Sequence, residues 1–475
     1  MPMQGLVQLI LQVVVITSCG IASAAATTPD KTDEMVRLLS WHVAQARHFD
    51  GTYRAAAASK EAAWQAYQSA AAALGIKVTA SATTSYSDRT EESRGVMGVS
   101  EVQRSFTGNQ LYITAKKPLY RPREIAAIDQ AHVQFQGADA LLSSAENALF
   151  GRVFLAWIEI LTARDLMHIA RDALDRATVV RIEAERRFKA GDITIDQVGL
   201  EVSRQRQRQA EVAQAQLRQD VAERALYDLA GSDAVVPVGF TLESAVPNPM
   251  PHVSREQIYE YVEQKNPELI AARFSEQAAR LERDKRDADH YPTVDIYATA
   301  SKGENDTASY IRDEQRIGLQ VSVPLYTSGA LTAAVQQAEA EYRKMQALTH
   351  AAELRLKAQA GVAYATLQSA LLKIEASKMH IEATGLRAEA IRRGLSAGTG
   401  TYSDLARAEA EFLMARQRRA AEMMEFAQAW ATLTVSTARI DAVFDQSLPS
   451  SSSPKSGPPQ STPRVDTLQT VRGDR

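Results

Sequence analysis

The chain has 475 residues, of which 45% are hydrophobic but only 6% are aromatic, and its formal net charge is −3. This length allows two or three ordinary domains, yet the scarcity of bulky side chains favours long, closely packed helices over a compact core. Without a basic face or an aromatic stacking motif, the charge gives no reason to expect nucleic acid as a partner.

The N-terminus has the pattern of a secretory signal. Leu6 to Ile16 form an apolar run that is too short to cross a membrane, and the small residues after it offer A-x-A cleavage sites. We predict a signal peptide over residues 1–26, although no Lys or Arg precedes the apolar run. The only cysteine, Cys19, lies within it. Lipidation of Cys19 is the alternative, because the residues leading to it resemble a bacterial lipobox.

Four short segments then alternate apolar and polar residues and are predicted to be strands: Val78 to Tyr86, Gln110 to Lys117, Val294 to Ser301 and Ile317 to Val323. The clearest places Leu319, Val321 and Val323 on one face, with Gln320 and Ser322 on the other. Polar loops are predicted within each pair, at 87–105 and 303–316. Four strands are too few to close a barrel, so closure requires several chains. A half-buried sheet in a soluble domain is the alternative.

Helices surround these strands. Helix is predicted from Asp33 to about Ala73 with a break at Asp50-Gly51, and the second half has a similar break at Asn266-Pro267. Far longer helices follow each strand pair, over 122–190 and 330–397, on the order of 100 Å each. Shorter helices, over 195–229 and 402–435, return antiparallel to them. Heptad steps at Leu331, Val335, Ala338, Tyr342 and Met345 predict coiled-coil packing.

The chain is a duplication. Residues 75–83 match residues 291–299, and Pro118-Leu119-Tyr120 recurs as Pro324-Leu325-Tyr326. A third match makes Gly191 and Gly398 equivalent turns. We predict two structural repeats, at 27–231 and 253–445, with a proline-containing linker at 232–252 and a disordered Ser/Pro-rich tail at 446–475.

No catalytic, metal-binding or cofactor-binding motif is recognisable. The eight histidines form no H-x-x-x-H pair, and no Walker or Rossmann glycine pattern occurs. The only cysteine lies in the predicted signal. We therefore expect neither enzymatic activity nor a cofactor nor a metal ion.

This organisation resembles that of the TolC-type outer membrane factors. The resemblance is carried by the duplication, the order of elements and a set of local motifs: Asn266-Pro267-Glu268-Leu269, Tyr291-Pro292, Val323-Pro324-Leu325-Tyr326, Ser328-Gly329, Gly191 and Gly398. It implies a fold that is mainly α with a small β part. Long antiparallel coiled-coil hairpins would form a tunnel across the periplasm. Four strands per chain would contribute to the twelve-stranded outer membrane β-barrel of a homotrimer.

The resemblance also implies a function and partners. The chain would be a passive channel-tunnel in the outer membrane of a Gram-negative bacterium, extending into the periplasm. Its partners would be two further copies, a periplasmic adaptor (membrane fusion) protein, an inner membrane ABC transporter or proton-driven pump, and outer membrane lipid, which Leu319, Val321 and Val323 would face. We predict type I secretion of a protein toxin, as in members that export an adenylate cyclase toxin. The alternatives are multidrug or small-molecule efflux and a soluble periplasmic coiled-coil scaffold.

In the family, the glycine turns lie at the periplasmic tip, where the tunnel narrows and the inner partners dock. The resemblance therefore assigns Arg187, Gly191, Arg393 and Gly398 to the hairpin tips and the adaptor contact. Asp404 stands where the family has an aperture aspartate. Three such carboxylates would form an acidic ring that attracts cations.

The tip also departs from the family pattern. Gly400 stands where a gating arginine can occur, Arg407 where a second acidic ring can occur, and Gln197 where the first repeat can carry an aspartate. The resemblance therefore does not identify the residues that form the locking contacts of the aperture. Asp404 has an alternative role as a solvated first-turn residue, which the helix dipole favours.

Overall fold

The computed structural model describes residues 31–95, 98–233, 240–245, 253–305 and 311–438. Cys19, the predicted signal peptide and the predicted tail lie outside the described residues, as does most of the predicted linker. Within the described ranges the chain is mostly helical and contains one four-stranded antiparallel sheet. None of these helices combines the length and the apolarity needed to cross a lipid bilayer.

The two halves of the chain share one order of elements. The first half comprises α1 (Lys31–Phe49), α2 (Gly51–Ala72), β1 (Lys77–Gly95), β2 (Gly98–Tyr120), α3 (Pro122–Ala190) and α4 (Ile195–Ala230). After the short α5 (Leu242–Ala245), the second half comprises α6 (Arg255–Lys265), α7 (Pro267–Asp287), a 3-10 turn, β3 (Thr293–Asn305), β4 (Ile311–Ser322), α8 (Ala330–Ser396) and α9 (Tyr402–Thr437). The boundaries of the repeats, linker and tail remain predictions.

The breaks between the short helices are helix caps. The Asp50 carboxylate accepts the Tyr53 N–H at 2.7 Å at the start of α2, and the Asn266 side chain accepts the Leu269 N–H at 3.1 Å at the start of α7. Asp50 also binds Arg152 of α3 at 2.8 Å. Burial alone would raise the pKa of Asp50, but these hydrogen bonds and the Arg152 charge hold it well below its ordinary value.

The sheet is larger than predicted. β1 and β2 pair continuously to Gly95 and Gly98, so the predicted loop at 87–105 is wrong. Its polar residues contain no breaker before those glycines, and a backbone ladder does not require an apolar face. The second predicted loop is also shorter, because β3 continues to Asn305 and β4 begins at Ile311.

One predicted strand residue lies outside the sheet. β4 ends at Ser322, so Val323 is one residue beyond it. Pro324 follows, and a proline has no N–H to donate to a neighbouring strand, which ends the pairing.

The main core lies about midway along the long helices, where α4 and α9 end. The middle of α3 contributes its largest fully buried side chains, Phe150, Phe154 and Trp157, and α9 contributes Phe426. The ring centroids of Phe154 and Trp430 are 4.8 Å apart. Aromatic residues are thus concentrated where several helices converge, while the hairpins beyond are held mainly by alanine and leucine.

The helices form a strip with two open edges. Toward the glycine turns, α3 packs against α4 and α9, and α9 packs against α8. Toward the sheet, α3 packs against α2 and α7, and α7 packs against α8. One edge is therefore α8 and the other is α2 followed by α4. The sheet order β1-β2-β3-β4 likewise leaves β1 and β4 unpaired within the chain, and these strands connect directly to α2 and α8.

Candidate functional site

One face of the sheet is apolar from edge to edge. The strand register places these residues side by side: Val78, Ala80, Ala82, Leu111, Ile113, Ala115, Val294, Ile296, Ala298, Ala300, Ile317, Leu319 and Val321. Leu319 and Val321 are 65% and 62% exposed in the single chain. The opposite face is polar, with Thr79, Thr114 and Gln320 among its residues. Along β3 the apolar stretch from Val294 to Ala300 is about 20 Å long.

Tyrosines border this apolar face where the sheet meets the helices. Tyr120 is the last residue of β2, Tyr291 precedes β3, and Tyr326 follows β4. All three are exposed in the single chain. Rings with a polar end are enriched at membrane–water interfaces, so their position indicates the rim of a lipid-embedded surface.

A buried ion cluster joins the sheet to α3. Asp295 of β3 is only 3% exposed and accepts hydrogen bonds from Nε and Nη2 of Arg121 at 2.9 and 2.7 Å. Lys116 Nζ of β2 lies 2.8 Å from the same carboxylate. Arg121 is also the N-cap of α3 and contacts Glu124 at 2.9 Å. These contacts fix the start of the long helix to the base of the sheet.

Two equivalent glycine turns end the long helices. Gly191 adopts φ 84°, and the Asp192 N–H donates to the Arg187 carbonyl at 2.9 Å. Gly398 adopts φ 82°, and the Thr399 N–H donates to the Gly394 carbonyl at 2.9 Å. Both are Schellman-type helix ends in which only glycine fits without strain.

Arg187 connects the two turns. Its Nη2 donates to the Leu395 carbonyl at 2.7 Å, so a positively charged donor is added to a carbonyl at the end of α8 that also accepts the Gly398 N–H at 3.2 Å. Arg393, by contrast, is exposed on the last turn of α8. The structure thus brings Arg187, Gly191, Gly398 and Arg393 to one end of the helical strip, while their contact with an adaptor remains a prediction.

Asp404 belongs to the N-cap of α9. Its backbone N–H donates to Thr401 Oγ1 at 3.1 Å, and the Thr401 hydroxyl donates to Asp404 Oδ2 at 2.6 Å. Arg407 lies one turn further along α9, is exposed, and forms no ion pair within the described part of the chain. Gln197 is exposed near the start of α4. The aperture roles of Asp404, Arg407 and Gln197 remain predictions.

A cavity of about 200 Å³ lies between α3, α4 and α9 near the tips. Glu201, only 4% exposed, borders it and pairs with Arg204; burial raises the pKa of Glu201. The Tyr402 hydroxyl also borders it and has no hydrogen-bond partner among the described residues. Burial likewise raises the pKa of Tyr402. Sequence reasoning missed this cavity. The available signal was Glu201, a charged residue three positions after apolar Val198 and therefore on the same side of α4.

Within the described ranges, no group of three or more His, Cys, Asp or Glu residues is arranged to hold a metal ion.

Comparison with known proteins identifies a family. The model of the family "Outer membrane efflux protein" matches residues 44–232 and 258–439. Proteases secretion protein PrtF of Dickeya chrysanthemi is 25% identical over 364 residues, covering 75% of this chain and 78% of the relative. Alkaline protease secretion protein AprF of Pseudomonas aeruginosa is 26% identical over 329 residues, 68% of each chain. Protein CyaE of Bordetella pertussis is 29% identical over 304 residues, 62% of each chain.

Solved structures share the fold. A structure of CusC, described as forming a transmembrane channel, superposes with a TM-score of 0.73 at 15% identity, covering 88% of this chain and 95% of that one. The outer-membrane channel OprN gives a TM-score of 0.72 at 18% identity, covering 91% and 98%. These likenesses confirm the predicted fold class.

Proposed function

Because the chain belongs to the outer membrane efflux protein family, we propose that it is the outer membrane exit duct of a type I secretion system that exports a protein. Members of this family are outer membrane channels, which confirms the predicted location. Two of the relatives are named for the secretion of proteases, which supports a protein as the cargo. The family also forms trimeric channels that work with adaptors and inner membrane transporters.

The observation that carries the proposal is the pair of open edges. A single chain leaves β1 and β4 without strand partners and leaves α8 and the α2–α4 edge without helix partners. Pairing the α8 and β4 edge of one copy with the opposite edge of the next is a head-to-tail contact, which repeats until a ring closes. The same head-to-tail contact therefore closes both the sheet and the helical strip.

The edge helix α8 has two heptad seams, as a helix inside a closed wall requires. One seam is buried within the chain and recurs every seven residues: Thr349, Leu356, Ala363, Ala370, Ser377 and Thr384. The other is exposed, at Leu372, Met379 and Leu386, and is offset by two residues, or about 200° around the helix. An apolar stripe with heptad spacing indicates a further helical partner.

The opposite edge offers a matching seam. On α4, Leu200 and Val221 are exposed and three heptads apart, and exposed Leu217 lies four residues before Val221. These side chains are on the outer side of α4, away from its contact with α3. Their partner in the proposal is the exposed seam of α8 in a neighbouring copy.

Three copies satisfy the geometry. Two copies would supply eight strands, a number whose interior is nearly filled by side chains, whereas three supply twelve and leave room for passage. In that ring the apolar sheet face, with Leu319 and Val321, faces lipid, and the polar face lines the lumen. Val323 lies at the periplasmic rim, next to the tyrosines.

The hairpin tips are the proposed meeting point with the inner partners. Arg187, Gly191, Arg393 and Gly398 lie at the end of the strip farthest from the sheet. An adaptor protein contacts them there, and an ABC transporter drives export through the adaptor. Gene deletion separates the two transport classes: loss of one secreted protein with unchanged drug susceptibility supports secretion, and the reverse result assigns the chain to efflux.

The direct test is conductance. Purified, detergent-extracted protein is expected to insert into planar bilayers and to give small, cation-selective currents. Asp404→Asn is expected to lower the cation-over-anion permeability ratio severalfold, because it removes one carboxylate per copy while the amide still accepts the Thr401 hydrogen bond. Asp228→Asn, far along α4 from the tip, is the matched control. If Asp404→Asn leaves the selectivity unchanged, Asp404 serves only as part of the α9 N-cap. If the wild-type protein does not insert into bilayers, the channel function fails and the soluble periplasmic scaffold is the remaining alternative.

The lipid-facing surface gives a second test. Leu319→Arg is expected to destabilise the membrane-inserted protein by about 2–4 kcal/mol, since arginine on the lipid face of a barrel is costly near the bilayer midplane. Gln320→Arg, one residue away on the polar face, is expected to have little effect. The amount of folded protein in the outer membrane fraction measures both. Equal losses in the two variants would refute this orientation of the sheet.

A further inference from the structure

The polar face of the sheet carries two lysines side by side near its helical end. Lys77 of β1 and Lys116 of β2 are directly opposite each other in the strand register, so their side chains lie on the same face. Like charges at opposite positions of an antiparallel strand pair are destabilising. The stability of the sheet therefore does not explain why both residues are lysine.

The second repeat shows that the fold does not need two lysines at this position. The match between the repeats makes Thr293 the equivalent of Lys77 and Ser322 the equivalent of Lys116. Thr293 and Ser322 are likewise opposite each other, in β3 and β4. The same strand position is thus neutral in one half of the chain and doubly charged in the other. A residue pair that lowers stability without a structural need is a candidate for function.

The positive charge in this region is only partly neutralised. Lys116 and Arg121 both bind Asp295, and Arg121 also binds Glu124. Lys77 is exposed and pairs with no carboxylate in the part of the chain that the structure describes. Three cations therefore share two carboxylates, and each copy of the chain keeps one unbalanced positive charge on the polar face, at Lys77.

The same row of the sheet adds a hydroxyl group and no acidic side chain. Tyr297 of β3 is opposite Lys116, and Gly318 of β4 is opposite Tyr297. Tyr297 lies across Gly318, where an added Cβ would be only 2.9 Å from the tyrosine hydroxyl oxygen. Ammonium and hydroxyl groups both donate hydrogen bonds to carboxylates. Lys77, Lys116 and Tyr297, here called the donor row, therefore suit an anionic partner.

We propose that the donor row binds acidic segments of the exported polypeptide as they pass from the helical tunnel into the barrel. This inference rests on the channel function proposed above, in which the polar sheet face lines the lumen. Three copies bring three donor rows to one level of the duct, which then carries a net positive charge. Because the lumen contains water and salt, each contact is weak, and a polypeptide can move past it.

The test is block of single-channel current by an oligoglutamate peptide at low salt. The long helices do not follow the barrel through a planar bilayer, so the barrel opens into the compartment opposite to the one that receives the protein. Added there, oligoglutamate is expected to block the wild-type channel, and oligolysine of the same length is not. Lys77→Thr, which copies the residue of the second repeat, is expected to raise the half-blocking concentration about fivefold, because it removes the unbalanced charge of each copy.

Lys117→Gln is the matched control, because Lys117 follows Lys116 in β2 and is exposed on the opposite face of the sheet. It is expected to leave the block unchanged. Lys77→Arg keeps the charge and is expected to be blocked like the wild-type protein. Since Lys77→Thr relieves a like-charge pair, its thermal midpoint is expected to be no lower than that of the wild-type protein, which separates lost binding from lost folding.

Two results would overturn the role of the donor row. One is a wild-type channel that oligoglutamate does not block from the barrel side. The other is equal block of the wild-type protein and Lys77→Thr. If the wild-type protein forms no channel at all, the proposed function itself fails.

Discussion

Replacing Trp157 with alanine is expected to lower the free energy of unfolding by about 3–5 kcal/mol, the range for removing a large buried aromatic side chain. Trp157 is fully buried at the middle of α3, in the core where α4 and α9 end. Its ring packs edge-on against Phe240, with a centroid distance of 6.0 Å. The cavity left by alanine would lie where several helices converge, so their collapse into it is restricted. The apparent thermal midpoint of the detergent-solubilised protein, followed by circular dichroism, measures the loss.

Trp157→Phe is the matched variant. The indole Nε1 is buried and has no hydrogen-bond partner among the described residues, so phenylalanine removes an unsatisfied donor while it loses part of the ring. We expect a cost of less than about 1.5 kcal/mol, as for other volume-similar exchanges. Equal destabilisation by Phe and Ala would mean that the Nε1 group has a partner that stabilises it.

Asp295→Ala is expected to disconnect the sheet from α3. The change leaves Arg121 and Lys116 without the carboxylate that binds both, and it removes the hydrogen bonds that hold the start of α3. Charged hydrogen bonds of this kind contribute about 1.5–3 kcal/mol each when buried. Because the two cations are partly exposed, we expect a total loss of about 2–3 kcal/mol. Less assembled trimer in the outer membrane fraction is the readout.

Asp289→Asn provides the control at the same junction. Asp289 binds Arg123 at 2.9 Å, but Arg123 is half exposed, so we expect this pair to contribute less than about 1 kcal/mol. Asp295→Asn adds a second comparison, because it retains shape and one acceptor but not the charge. If Asp289→Asn reduces assembly as strongly as Asp295→Ala, burial of the charge is not what matters at this junction.

The ends of the long helices could be predicted from sequence because local chemistry marks them. Pro122 at the first helical position and Gly191 just past the end define α3, and the predicted and observed bounds agree. Gly398 marks the second turn in the same way, although α8 ends at Ser396, one residue before its predicted end. These signals act within one turn of helix and need no tertiary information.

Strand lengths and buried charges could not be predicted in this way. The β1–β2 hairpin continues through polar residues because backbone pairing between two strands does not require an apolar sequence pattern. The pairs between Arg121 and Asp295 and between Arg416 and Asp172 join residues 174 and 244 positions apart. Only the folded chain brings them together. Asp295 gave no signal either, because an acidic residue between apolar Val294 and Ile296 fits the apolar–polar alternation of the strand.

The matched helix lengths restrict how such a chain can change in size. α3 and α8 have 69 and 67 residues, and α4 and α9 have 36 each, so both tips end at nearly the same level. Deleting one residue from a single arm would rotate everything beyond it by about 100° and move every seam residue off its partner. A shorter tunnel that keeps its seams must lose seven residues from all four arms together, or about 10 Å of reach. Proteins built on this plan therefore adjust to a narrower or wider periplasm in discrete steps.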